Sequence, residues 1–137
     1  MPNVEHYSLF CEDVRWEANG SPMLAGIMSP VFHPTEYPVT FARIFLVSMF
    51  RASNDTEGFS ATLSISKTSK EGREAIGEFG AEYERDQLDN EGAQWVAISH
   101  LPIPPIELNE GESLVAEVDC EGVSSSVHLF AGSVLSS

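Results

Sequence analysis

FARIFLVSMFR, residues 41–51, is apolar at eight of its eleven positions and does not alternate cleanly with polar residues. A run of this length reads as a strand covered on both faces or as a piece of buried helix, and periodicity alone does not separate the two. Its borders decide. Pro38 stands just upstream and Ser53-Asn54-Asp55 just downstream, and the segments on either side read as strands, so the run is assigned as a central strand. It is too short to cross a membrane, which takes about twenty apolar residues.

Downstream, FSATLSISK holds the clearest pattern in the chain. Phe59, Ala61, Leu63 and Ile65 fall on one face and Ser60, Thr62, Ser64 and Ser66 on the other, the strict period of two that marks a strand with one wet face. Between Thr68 and Asn90 the pattern weakens. Glu74 to Phe79 reads as a short strand, and Ala81 to Asn90 as a charged loop or a single helical turn. AQWVAISHL, residues 93–101, is another strand, closed by Pro102, Pro104 and Pro105 in an edge-like extended crossing. Ser113 to Glu121 alternates again, with Leu114, Ala116, Val118 and Cys120 on one side. Gly122 turns the chain into a last strand from Ser126 to Val134.

Upstream, Val4 to Ala18 reads as a strand with a bulge near Cys11 to Asp13. Asn19-Gly20 is a hairpin turn dipeptide, because both residues accept positive φ. The return strand is Met23 to Met28, where Gly26 allows a close backbone approach. Ser29 to Pro38 carries three prolines and crosses rather than continues the sheet. The count is seven or eight short strands without a convincing helix, which predicts a single all-β domain over residues 1–137. The expected fold is an antiparallel β-sandwich of immunoglobulin-like or C2-like kind, with a small β-barrel as the alternative.

Seven Lys and Arg against 21 Asp and Glu give a formal net charge of −14. Such a chain repels nucleic acid and anionic membranes, since phosphate contacts need Lys and Arg. The acidity serves solubility, or it attracts a basic partner. Cys11 and Cys120 stand far apart in apolar runs without a CxxC spacing, and with no leader-like apolar start they read as buried free thiols in a reducing, cytoplasmic setting. In that setting the sequons at Asn19 and Asn54 carry no function.

One block has a familiar outline: Cys11-Glu12-Asp13-Val14-Arg15, then Glu17, a turn at Asn19-Gly20, Leu24 to Ile27, and Pro38-Val39-Thr40 leading into the apolar strand. It resembles a bacterial and phage protein family with no known activity. That resemblance implies a β-sandwich and leaves function open. The acidic stretch from Glu78 to Glu91 has no counterpart in the family.

Candidate site residues are few. On a strand, Asp13, Arg15 and Glu17 share one face, where Arg15 could bridge two carboxylates through its planar fork. The arrangement would grip a ligand carboxylate or phosphate, or simply serve as an ion-pair ladder that fixes register. Lys67, Lys70 and Arg73 form the basic cluster, read as a loop tip or as a contact for an acidic surface, including that of a second copy. His6, His33, His100 and His128 lie on different segments with no HxH or HxxxH spacing, so no metal is expected. There is no GxSxG elbow, GxGxxG or P-loop, and no cofactor is implied. The expectation is a non-enzymatic interaction or assembly module acting through a sheet edge or a loop. Its alternative is an acidic decoy for a basic nucleic-acid-binding protein.

Overall fold

The computed structural model describes residues 4–18, 22–86 and 92–135, and over these the chain is all-β, a sandwich of two main sheets with no closed barrel. The eleven strands are β1 (Val4–Trp16), β2 (Pro22–Ile27), β3 (Val31–Phe32), β4 (Val39–Phe41), β5 (Ile44–Ser53), β6 (Gly58–Ser69), β7 (Gly72–Glu84), β8 (Gln94–Ile103), β9 (Ile106–Leu108), β10 (Ser113–Cys120) and β11 (Val123–Ala131). Eight are long, matching the count expected from the sequence. The other three, β3, β4 and β9, have two or three residues each. One sheet has the order β2-β1-β5-β8, the other β3-β11-β10-β6-β7, and β4 pairs with β9 in a small third sheet.

The opening stretch splits. Phe41 ends β4, and β5 starts at Ile44 between β1 and β8, the central position assigned to it. Its inward residues Ile44, Leu46, Phe50 and Ala52 are fully buried against the second sheet. Its outward residues are less covered: Val47 is buried, Phe45 and Met49 are half-buried, and Arg51 is exposed. The second sheet meets the first with Phe59, Leu63 and Ile65 from β6, Leu114 and Val118 from β10, and Leu129 from β11. Burying aliphatic and aromatic side chains of this size stabilises by roughly 1.5–3 kcal/mol each. At one end Phe50, Phe59, Tyr83 and Trp95 stack with centroids 5.2–5.4 Å apart.

The alternation of β6 holds as far as Ile65: Phe59, Ala61, Leu63 and Ile65 are buried, Ser60 and Thr62 exposed and Ser64 half-buried, whereas Ser66, expected on the wet face, is buried. Three local expectations change. Ala81 to Glu84 is strand and not loop, because Tyr83 closes the aromatic stack while Glu82 and Glu84 stay in water. The last strand is Val123–Ala131 and not Ser126 to Val134: Glu121 and Gly122, at φ 51° and 83°, make a two-residue turn that sends the chain straight back, and pairing with β10 ends at Phe130. β1 shows no bulge. One register runs from Val4↔Ala52 to Cys11↔Phe45 against β5 and from Cys11↔Ile27 through Asp13↔Ala25 to Trp16↔Pro22 against β2, and the irregularity falls instead in β6–β7, between Ile65 and Ser66. The Asn19-Gly20 turn lies outside the described residues.

The proline-rich crossing between the sheets does what its composition suggests. Pro30, Phe32 and Pro34 accept backbone hydrogen bonds from Phe130, Gly132 and Leu135 at 2.7–2.9 Å, clipping β3 in parallel beside β11.

Candidate interaction surface

β1 holds the first predicted cluster, with the roles reversed. Asp13 is the bridging group: its Oδ2 accepts from Arg15 Nε at 3.2 Å, and its Oδ1 accepts from Arg43 Nη2 at 2.9 Å and from the Val14 N–H at 2.9 Å. The Arg15 hydrogen bond lowers the Asp13 carboxyl pKa from its ordinary value; partial desolvation opposes this, and the Arg43 charge adds to it. Arg43 also lies over the Phe45 ring, 5.7 Å from its centroid. Glu17 is exposed one residue past the strand's end, so the expected triplet on one strand face is a pair plus a distant arginine. With both guanidiniums turned onto Asp13, the cluster is built as a tie between β1 and the start of β5.

That tie accompanies a sharp bend. His100 of β8 sits in the same cross-strand row as Val47 and Leu9. Trp16 is seven residues beyond Leu9, which a straight strand would place about 23 Å further on. Its ring nevertheless meets His100 edge-on at 5.6 Å, so the β1–β2 hairpin folds back over the outer face of its own sheet. Gly26, at φ 68°, supplies the kink, and a Cβ there would meet Glu12 Cγ at 2.8 Å. The close approach expected at this glycine comes from a side chain and not a backbone.

The basic cluster does not assemble. Lys67 is the residue opposite Glu74 and Arg73 the residue opposite Thr68, so their side chains leave opposite faces of the β6–β7 ribbon. Lys67 Nζ donates to Glu107 O at 2.7 Å and lies 3.5 Å from Glu112 Oε1. Arg73 Nη2 donates to Glu117 Oε1 at 3.1 Å. Lys70 alone stays in the exposed two-residue turn. Cys11 and Cys120 are unpaired and buried; burial pushes the Cys120 thiol up to about 11.

The surface that the residue-by-residue reading missed is an edge. β8 ends its sheet, and among the described residues no strand pairs with its far side. Its ten residues, QWVAISHLPI, contain no Asp, Glu, Lys or Arg, in a chain of net charge −14. Pro102, expected to close the strand, lies within it opposite Phe45, and the strand runs on to Ile103. A proline is tolerated in a ladder where its nitrogen faces away from the neighbour, so the N–H and C=O of Gln94, Val96, Ile98 and His100, two apart from it, face outward too. Ala93 O, on the other parity, accepts from Asn54 N at 2.9 Å at the end of β5, which agrees. Val96 is 50% exposed beside this edge. The signal was present in the sequence as nine residues, from Ala93 to Leu101, free of formal charge.

The outer face of the other sheet differs in kind. The cross-strand rows place Glu78, Glu82, Glu84, Glu117 and Asp119 on it among Ser60, Thr62, Ser64, Ser124 and Ser126, with Arg73 as the one Lys or Arg in these rows. Compared with protein-family models, with curated proteins and with solved structures, the chain matches none. Among the described residues no helix is long and apolar enough to cross a membrane.

Proposed function

We propose that the chain is a non-enzymatic interaction module that binds another protein through the open edge of β8. The observation that carries this reading is an uncharged ten-residue edge strand with outward N–H and C=O groups. Edges of this kind add a strand from another chain unless charges, prolines or bulges blunt them. Only Pro102 blunts β8, and at its end. In this reading the chain is a phage-encoded or virion-associated structural protein, and its partner is another protein of the particle. The Asp13, Arg15 and Glu17 group and the Lys67, Lys70 and Arg73 group serve architecture in this reading, since Arg15, Arg43, Lys67 and Arg73 already have carboxylate partners.

Val96→Pro tests it. This substitution removes an outward N–H and leaves the ladder to β5 intact. The immobilised wild-type chain should retain a protein from extracts of its source cells that the variant fails to retain. Equal retention by both would overturn the reading.

A second reading, an acidic decoy that occupies a basic nucleic-acid-binding surface, is favoured by the row of Glu117 and Asp119 beside Glu78 and Glu82. Same-face positions on a strand repeat about every 6.6 Å, a regular array of charge. Retention lost on reversing Glu82 and Asp119 to Lys, and kept in Val96→Pro, would favour the decoy.

A further inference from the structure

The two sheets of the sandwich are unequal: five strands face four. The fifth strand is the two-residue β3 at one edge, and β7 forms the other edge. Phe79 is opposite Leu63, a core residue, so it points inward, yet it is 39% exposed. Its ring lies over Gly77, where a Cβ would come within 2.9 Å of it. The residues around it locate the opening. β8 begins above the Tyr83 end of β7, where Trp95 meets Phe59 at 5.3 Å and Phe59 meets Tyr83 at 5.2 Å. The chain leaves β8 at the other end, where Pro104, Pro105 and Ile106 line a shallow groove with Ile76. Along β7, Phe79 falls between these two ends, on the edge strand of its sheet.

We infer that an extended segment of a partner protein adds to β8 as a fifth strand and lays apolar side chains on Phe79 and Ala81, completing the sandwich. This rests on the β8 edge reading above and specifies the partner's chemistry. A strand paired with Gln94 to His100 has alternate residues facing inward over β7, and these must be apolar to cover an exposed phenylalanine. Its other residues face water beside Val96 and Ile98, where Lys or Arg suits a chain of net charge −14. The ligand is therefore an extended segment alternating apolar and basic residues. A second copy's β8 does not fit, because its inward Trp95 is already buried in its own core at 3% exposure.

The probe is a capped seven-residue peptide alternating lysine and valine. Its controls are the same peptide with serine for valine, and the valine peptide N-methylated along one edge to block pairing. The valine peptide should bind at least about tenfold more tightly than either control, a tenfold ratio being 1.4 kcal/mol. It should slow amide exchange at Val96, Ile98 and His100, and Phe79→Ser should weaken it about tenfold with little change in the urea midpoint. Equal binding of valine and serine peptides, protection on the acidic outer face in place of β8, or no binding at millimolar peptide would each overturn the inference. So would a concentration-dependent dimer of the free protein that protects the β8 amides, since the edge would then belong to a second copy. If Val96→Pro abolishes retention of a cellular partner while Phe79→Ser and the valine peptide have no effect, the edge reading stands and only the strand's chemistry is wrong.

Discussion

β7 and β8 are consecutive strands that both end up at sheet edges, and they treat that position in opposite ways. β7 carries Arg73, Glu74, Glu78, Glu82 and Glu84 along its thirteen residues. β8 carries no formal charge along ten. Charges on an edge strand oppose pairing with a stray chain, because docking would desolvate or juxtapose them. The protein has therefore guarded one flank strand and left the other bare. Both hang on the same aromatic stack, β8 through the buried Trp95 and β7 through the half-buried Tyr83, so they differ in their exposed edges and in the depth of their anchors.

The largest effect should come from the anchors. Trp95 is buried and its Nε1 donates to Thr56 O at 2.9 Å, whereas Tyr83 is half-buried. Trp95→Ala should cost about 3–5 kcal/mol, the range for a large buried aromatic, and Tyr83→Ala clearly less, both read from urea unfolding. Equal losses would mean that the two edges are anchored alike. The next test separates the two sides of β8. Ala97→Pro removes an N–H that faces β5 and should cost about 2–3 kcal/mol. Val96→Pro removes one that faces the open side and should cost about 1 kcal/mol or less. The reverse order would place the open edge on the other parity.

The smallest effect concerns the Asp13 tie at the far end of the sheet. The carboxyl pKa is lowered in the folded chain, by Arg15 first, so its stabilisation is present above the ordinary value of 3.8 and is lost as pH falls below it. Asp13→Asn should lower stability slightly at neutral pH and leave it nearly unchanged well below pH 3.8, which flattens the acid limb. An unaltered acid limb would mean that Arg15 and Arg43 do not hold Asp13 in solution.

Much of the sandwich was legible because local pattern and burial coincide. β6 and β10 alternate, and Leu63, Ile65, Leu114 and Val118 are buried where the period of two puts them. β7 was read only in part, because Gly77 and Gly80 interrupt its alternation and Phe79, an inward residue, is left uncovered. The basic cluster failed for a different reason. Lys67 and Arg73 are six positions apart in the chain, but the two-residue turn pairs Arg73 with Thr68 and so sends their side chains to opposite faces. Nor could the open edge be read directly, since strand order is a non-local property: β8 pairs with β5, some fifty residues earlier. The hairpin bend escaped as well, because Gly26 signals freedom but not direction.

The clip between β3 and β11 has a consequence for the order of events in synthesis. His33 Nδ1 lies 2.8 Å from Ser133 O, a hundred positions along the chain, and the parallel β3–β11 pairing spans nearly the same separation. On a ribosome the proline-rich crossing must wait, its carbonyls hydrated, until nearly the whole described chain has emerged. Contacts of such long range close slowly, on the millisecond-to-second scale of β-sandwiches. Until then β8 has been made, but the second sheet beneath it still lacks its last long strand. The uncharged edge is thus exposed for longest at the moment when the molecule is least able to choose its partner.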